Sequence, residues 1–160
     1  MVLASETKKG EAYILKEKVL ADHIAREFNA QAVELGNATT TVDRMFIRDN
    51  KLLSVVEIKH REMSLTDLMK FGTYLISYDK IINGLAISEL LHVPFFVFAY
   101  LIHSGDLVYF KISNETGKDI CDYVVERSKT KADCNGGNAV RENAYLYLDK
   151  MVVMYAPKDG

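Results

Sequence analysis

Two runs of β-branched and aromatic residues limit what this chain can become: Leu52 to His60 (LLSVVEIKH) and Phe95 to Ile102 (FFVFAYLI). Both are nearly continuous in apolar character rather than alternating, the pattern of strands covered on both faces. A segment of helical pattern lies between them, so the two strands can pair in parallel through a crossover. The chain upstream reads as a hairpin. Asp43 to Arg48 (DRMFIR) is a strand, Asp49-Asn50-Lys51 has turn chemistry, and Leu52 to His60 returns antiparallel.

Around this centre the remaining elements follow from spacing. Gly10 to Phe28 predicts a helix, with Leu15, Val19, Leu20, Ile24 and Phe28 at three- and four-residue steps. Ala32 to Leu35 predicts a short strand closed by a Gly36-Asn37 turn. Ser64-Leu65-Thr66-Asp67 resembles a capping box and predicts a helix running to about Asn83-Gly84. A second helical piece, Leu85 to Leu91, ends before Pro94. Ser104-Gly105-Asp106 turns into a strand from Leu107 to Ile112. Ile120 to Glu126 reads as a short strand or helix, and Tyr145 to Met154 as a strand with a helical alternative. Arg127 to Lys131 is a basic run, and Asn135-Gly136-Gly137-Asn138 a loop. The fold class expected is α/β, a mixed central sheet flanked by helices in αβββαβ order.

The chain has 160 residues, 49% of them hydrophobic, enough for one domain over residues 1–160. Its core is expected at about 11–112, with a C-terminal extension at 113–160. The formal net charge of −2 excludes a dedicated basic nucleic-acid coat; any such contact must be a local patch. Cys121 and Cys134 are too few for a disulfide scaffold and lack zinc spacing, and His23, His60, His92 and His103 are scattered. We read no signal peptide at the polar N-terminus and no membrane span, and expect an intracellular protein.

The chemistry centres on Asp43, Glu57 and Lys59. An acid, any residue and then lysine occurs three times: Glu6-Thr7-Lys8, Asp49-Asn50-Lys51 and Glu57-Ile58-Lys59. Only the third copy lies inside an apolar strand. There Glu57 and Lys59, two residues apart, share a face while Ile58 points into packing. Charges in such a place are costly unless paired or bound to something. The hairpin can bring Asp43 back beside Glu57. Two convergent carboxylates, with the Ile58 carbonyl as a third donor, suit a hard cation such as Mg²⁺. Lys59 can then hold an attacking water and offset charge on a phosphate. The competing interpretation is an edge ion pair with Asp43 as a turn residue.

Asp43, followed across a hairpin by Glu57-Ile58-Lys59 and preceded by a helix, resembles the PD-(D/E)XK nucleases. The similarity spans Glu11 to Ile112 and is greatest to small Holliday-junction resolvases and virus-type nucleases. Val42 stands where many members have proline before the aspartate. The resemblance implies a restriction-endonuclease-like core and hydrolysis of DNA leaving a 5′-phosphate. It also implies Mg²⁺ (or Mn²⁺ as substitute) as cofactor, with no organic one. A first-helix glutamate is implied near the metal; of Glu11, Glu17 and Glu27, Glu17 is chosen. The helix carrying Tyr74 to Lys80 is expected to supply a phosphate contact, Lys80, with Tyr74, Ser77 and Tyr78 on one helical face. His60, Arg61 and Arg44 are expected on nucleic acid, with Arg48 and the 127–131 run extending the rim. The partner is DNA. Cutting branched DNA would need two sites, hence a homodimer; a phage protein would act in the host cytoplasm. A catalytically silent nucleic-acid-binding module on the same fold is the alternative, and a structural domain with no nucleic-acid role the third.

Overall fold

The computed structural model describes residues 8–34, 43–129 and 140–154. The polar residues 1–7, the turn at 36–37, the second half of the basic run, Cys134 and the loop at 135–138 lie outside the described residues, as does the side chain of Glu11.

Helix α1 (Lys8–Glu27) leads into β1 (Gln31–Glu34), β2 (Arg44–Arg48) and β3 (Lys51–Arg61). β2 and β3 are joined by Asp49-Asn50, both at positive φ (49° and 60°). That is the backbone of a tight primed hairpin turn, which short polar side chains tolerate. β3 pairs in parallel with β5 (Phe95–Leu101), as the two apolar runs predict, and β6 (Asp106–Lys111) folds back on β5. With β9 (Val152–Met154) on β6, the described residues form a six-stranded main sheet in the order β1-β2-β3-β5-β6-β9. It is mixed and flanked by helices, consistent with a restriction-endonuclease-like fold.

The crossover differs from expectation. The capping box forms as predicted: Ser64 Oγ accepts from the Asp67 amide at 3.1 Å, and Asp67 Oδ2 accepts from the Ser64 amide at 3.2 Å. These bonds hold the Asp67 carboxyl below its ordinary value. The helix they start, α2 (Leu65–Phe71), stops after seven residues at Gly72, which takes the left-handed cap (φ 74°). Strand β4 (Thr73–Ser77) follows, and only then α3 (Tyr78–Leu91). The single helix expected to Asn83-Gly84 is therefore two helices with a strand between. Tyr74 and Ser77 lie on that strand, so they share no helical face with Tyr78. Tyr74 and Ile76 alternate inward with exposed Leu75, the two-residue period of a strand.

β4 is held by the chain's tail, β7 (Tyr123–Lys129) and β8 (Val140–Tyr147), in a second sheet of order β4-β8-β7. Ile120–Glu126 thus belongs mostly to a strand. Tyr145–Met154 is the end of one strand, a short 3-10 turn and another strand. The register Tyr74↔Leu146 and Ile76↔Ala144 turns one face of this sheet onto the core.

Two apolar layers sandwich the main sheet. On one face α1 packs Leu20, Ala21, Ile24 and Ala25 on Phe46, Val56, Ile58 and Phe98. Val19, expected in that stripe, is exposed, whereas Phe28 packs edge-on against Phe98. On the other face Leu68, Ile81, Tyr74, Ile76 and Leu146 cover Val55, Phe95, Val97 and Ala99. Gly84 lets α3 lie directly on the Phe95 ring, where a side chain would collide. Among the described residues no helix is long and apolar enough to cross a membrane.

Candidate active site

The site begins with a register. β2 and β3 pair Ile47 with Leu52 near the turn, then slip by one residue, so that Phe46 faces Ser54 and Arg44 faces Val56. Continuing that register one step sets Asp43 across from Glu57. Without the bulge Asp43 would oppose Val56 and point to the wrong face, because a one-residue slip inverts every side chain. Asp43 Oδ2 accepts from the Ile58 amide at 3.0 Å, which ties the residue before β2 to the middle of β3. The Ile58 carbonyl leaves the strand on the same edge as its amide, and so on the Asp43 side.

From Val55 onward the odd positions of β3 face the second sheet and α3. Glu57 is there, with no exposure to solvent. Its Oε1 lies 3.0 Å from Lys59 Nζ and 3.2 Å from Lys80 Nζ; its Oε2 is buried without a hydrogen-bond partner. Burial, then the charge of Asp43, push the Glu57 carboxyl above its ordinary value, and the two lysines offset only part of that. Burial opposes the charge on Lys59, but Glu57, Asp43 and Glu17 outweigh it and leave the amine more basic than usual. Glu17, on α1, is raised by burial and then by Asp43, and Lys59, Arg44 and Glu57 all act on it. Glu17, Asp43, Glu57, Lys59 and Lys80 therefore form one electrostatic cluster at the β2–β3 edge.

Lys80 owes its place to β4. It lies in the first turn of α3, directly after β4, a segment whose sequence pattern alone predicts helix.

The other expected contacts are placed differently. Arg44 is 5% exposed and pairs with Glu34 at 3.6 Å. Arg61 donates to Tyr74 Oη at 3.0 Å and to the Leu75 carbonyl at 3.1 Å, and stacks over the Tyr74 ring, so it fastens β4 to β3. That tyrosine was the overlooked partner; its hydroxyl is the polar end of a fully buried ring. His60 points to the α1 face against Tyr100, and burial, then Lys16, lower its pKa. Arg48 reaches the Phe28 carbonyl at the far end of β2, and Arg127 pairs with Glu142. Cys121 is buried, and burial with Asp119, Asp122 and Asp149 pushes its thiol up to about 12, so it is inert near neutrality. An open concavity of about 780 Å³ lined by Met69, Tyr123, Tyr147 and their neighbours shares none of the site's residues.

Among the described residues no three His, Cys, Asp or Glu side chains are grouped so as to hold a metal by themselves. The donors suit an ion that keeps much of its water. Mg²⁺ is typically held by one or two carboxylates, and here there are two, with a carbonyl on the same edge. The buried, unpartnered Oε2 of Glu57 is an oxygen lacking a cation or a donor.

The sequence model of the family described as "Phage putative PDDEXK endonuclease" matches residues 11–127. No curated protein and no solved structure matches the chain.

Proposed function

We propose that this chain, which belongs to the phage PDDEXK endonuclease family and is thereby a nuclease, is a divalent-metal-dependent deoxyribonuclease with its site at Asp43, Glu57 and Lys59. The observation that carries this reading is the buried Glu57, with one oxygen between two ammonium groups and the other unpartnered. A stability role alone leaves that oxygen unexplained, because an unsatisfied buried carboxylate oxygen costs free energy.

Asp43, Glu57 and the Ile58 carbonyl would hold Mg²⁺ or Mn²⁺. When bound, such an ion supplies Lewis acidity toward the scissile phosphate and lowers the pKa of water. Lys59, fixed on β3, positions a water for in-line attack on phosphorus and faces the charge that grows on the phosphate oxygens. Its raised pKa keeps it a cation, suited to charge stabilisation rather than to removing a proton. Lys80 approaches from the opposite wall and suits a non-bridging phosphate oxygen. Glu17 is the candidate to hold a second water. The scissile strand would leave with a 5′-phosphate.

The chain works as one unit in this reading, since Tyr74, Ile76, Ala144 and Leu146 of the second sheet share a core with Val55 and Val97 of the first. A phage nuclease acting on DNA would work in the host cytoplasm. Selectivity for junctions would require two sites in a homodimer. The test is a panel of four-way junction, flap, duplex and single strand with Mg²⁺, Mn²⁺ or EDTA, beside sedimentation of the protein. Metal-dependent cleavage lost in E57A supports the nuclease; retention of DNA in EDTA with no cleavage in either metal supports a silent binding module instead.

A further inference from the structure

Lys80 has an assignment beyond a phosphate contact. Three observations bear on it. First, its ammonium is 3.2 Å from Glu57 Oε1, the oxygen Lys59 also holds, so one carboxylate oxygen serves two cations. Second, the two lysines stand on different elements. Lys59 shares strand β3 with Glu57, where Asp43 and Glu17 also act on it, whereas Lys80 reaches Glu57 from α3. Third, Lys80 occupies the first turn of α3, where the helix dipole disfavours a cation. The Ser77 side chain makes no capping bond there, so the turn's amide groups add to the positive field.

We infer that Lys80 is an exchangeable cation: it holds Glu57 when the site has no metal, and is released toward a DNA phosphate when a dication takes Glu57. This rests on the metal-dependent reading above. A dication beside Glu57 repels an ammonium at that distance, and Lys59, bound into the wider acidic cluster, has more to lose by leaving. Released, Lys80 stands at a helix N-terminus, a setting that favours anions. Metal and DNA binding are thus coupled through one side chain, and the coupling is reciprocal.

The test uses the full chain as wild type, K80M and K80Q, with labelled duplex DNA in Ca²⁺ and in EDTA, and Mn²⁺ titration without DNA by calorimetry. Melting in EDTA checks that each variant is folded. In Ca²⁺ the variants bind DNA roughly tenfold more weakly than wild type; in EDTA, where Lys80 is occupied by Glu57, the loss is about twofold or less. Both variants bind Mn²⁺ roughly tenfold tighter than wild type. Equal losses of DNA affinity in Ca²⁺ and EDTA would mean that Lys80 is a constitutive phosphate contact, and would overturn the exchange. Mn²⁺ uptake and cleavage by wild type with unchanged uptake in K80M overturns the exchange alone. Wild type that takes up no Mn²⁺ overturns the metal-dependent reading and the exchange together.

Discussion

Asp43 has two roles that one pair of substitutions separates. Its Oδ2 accepts the Ile58 amide at 3.0 Å, a structural bond, and its charge acts on Glu57 and Glu17. Asp43→Ala removes both. The Ile58 amide, part-buried, then lacks its acceptor. Loss of a charge-assisted bond of this kind costs about 1.5 kcal/mol, partly offset by water reaching the edge. For a chain of this size that is a fall of about 3–6 °C in Tm. Asp43→Asn keeps an oxygen facing the amide and removes a like charge beside the buried Glu57 and half-buried Glu17 carboxyls. Its metal-free Tm should match or exceed that of wild type. Both variants should lose at least about a hundredfold in cleavage, or about 2.7 kcal/mol of barrier lowering. Melting in EDTA and single-turnover cleavage in Mg²⁺ measure the two quantities independently. If D43A melts with wild type, the bond to Ile58 carries no stability. If D43N cleaves at the wild-type rate, Asp43 is not a ligand.

Other outcomes follow from the same geometry. Because the Glu57 pKa is raised above 4.5, its contribution to stability is fully present below that value and is lost as pH rises through the raised one. In EDTA, wild type should lose Tm relative to E57Q as pH rises above 4.5 and through the raised value, and Mg²⁺ should restore it. Gly84→Ala drives a methyl group into the Phe95 ring and should cost about 1–3 kcal/mol by denaturant titration. Arg61→Met cuts the link from β3 to Tyr74 and Leu75. It should lower stability by about 1–2 kcal/mol and slow cleavage, because β4 sets where α3 begins. A fully active R61M would show that this link does not position Lys80.

The centre of the fold was legible because parallel strands buried on both faces leave uniform apolar runs, and Leu52–His60 and Phe95–Ile102 are such runs. The Asp43–Glu57–Lys59 set was legible because a short hairpin brings its ends together. The bulge that puts Asp43 on the correct face was not, since an extra residue in a strand leaves no periodic mark. β4 was hidden for a different reason. Leu68, Phe71, Leu75, Tyr78 and Ile82 keep a helical spacing straight through it, and only Gly72 and the alternation of Thr73–Ser77 break the pattern. Its partners are β8 residues such as Asn143 opposite Ser77, remote in sequence and invisible to local reading. The consequence reaches the site: five residues as a strand advance about 16 Å, against about 7.5 Å as helix, so α3 and Lys80 start elsewhere. Arg44 is expected on nucleic acid by its charge, and Arg61 by its charge and its place at the strand end after the motif. The structure buries Arg44 against Glu34 and ties the part-exposed Arg61 to Tyr74, pairings with partners remote in sequence that local reading does not show.

The central claim is that a cation completes the pair of carboxylates at the β2–β3 edge and that Lys59 assists the attack on phosphorus. Single-turnover cleavage of end-labelled duplex by wild type, E57Q and K59M, with Mg²⁺ added back to chelated protein, tests it most directly. Scission that appears only with the ion, leaves 5′-phosphate ends and is lost in both variants is the predicted result. Cutting by wild type in chelator, or by K59M at the wild-type rate, would contradict it.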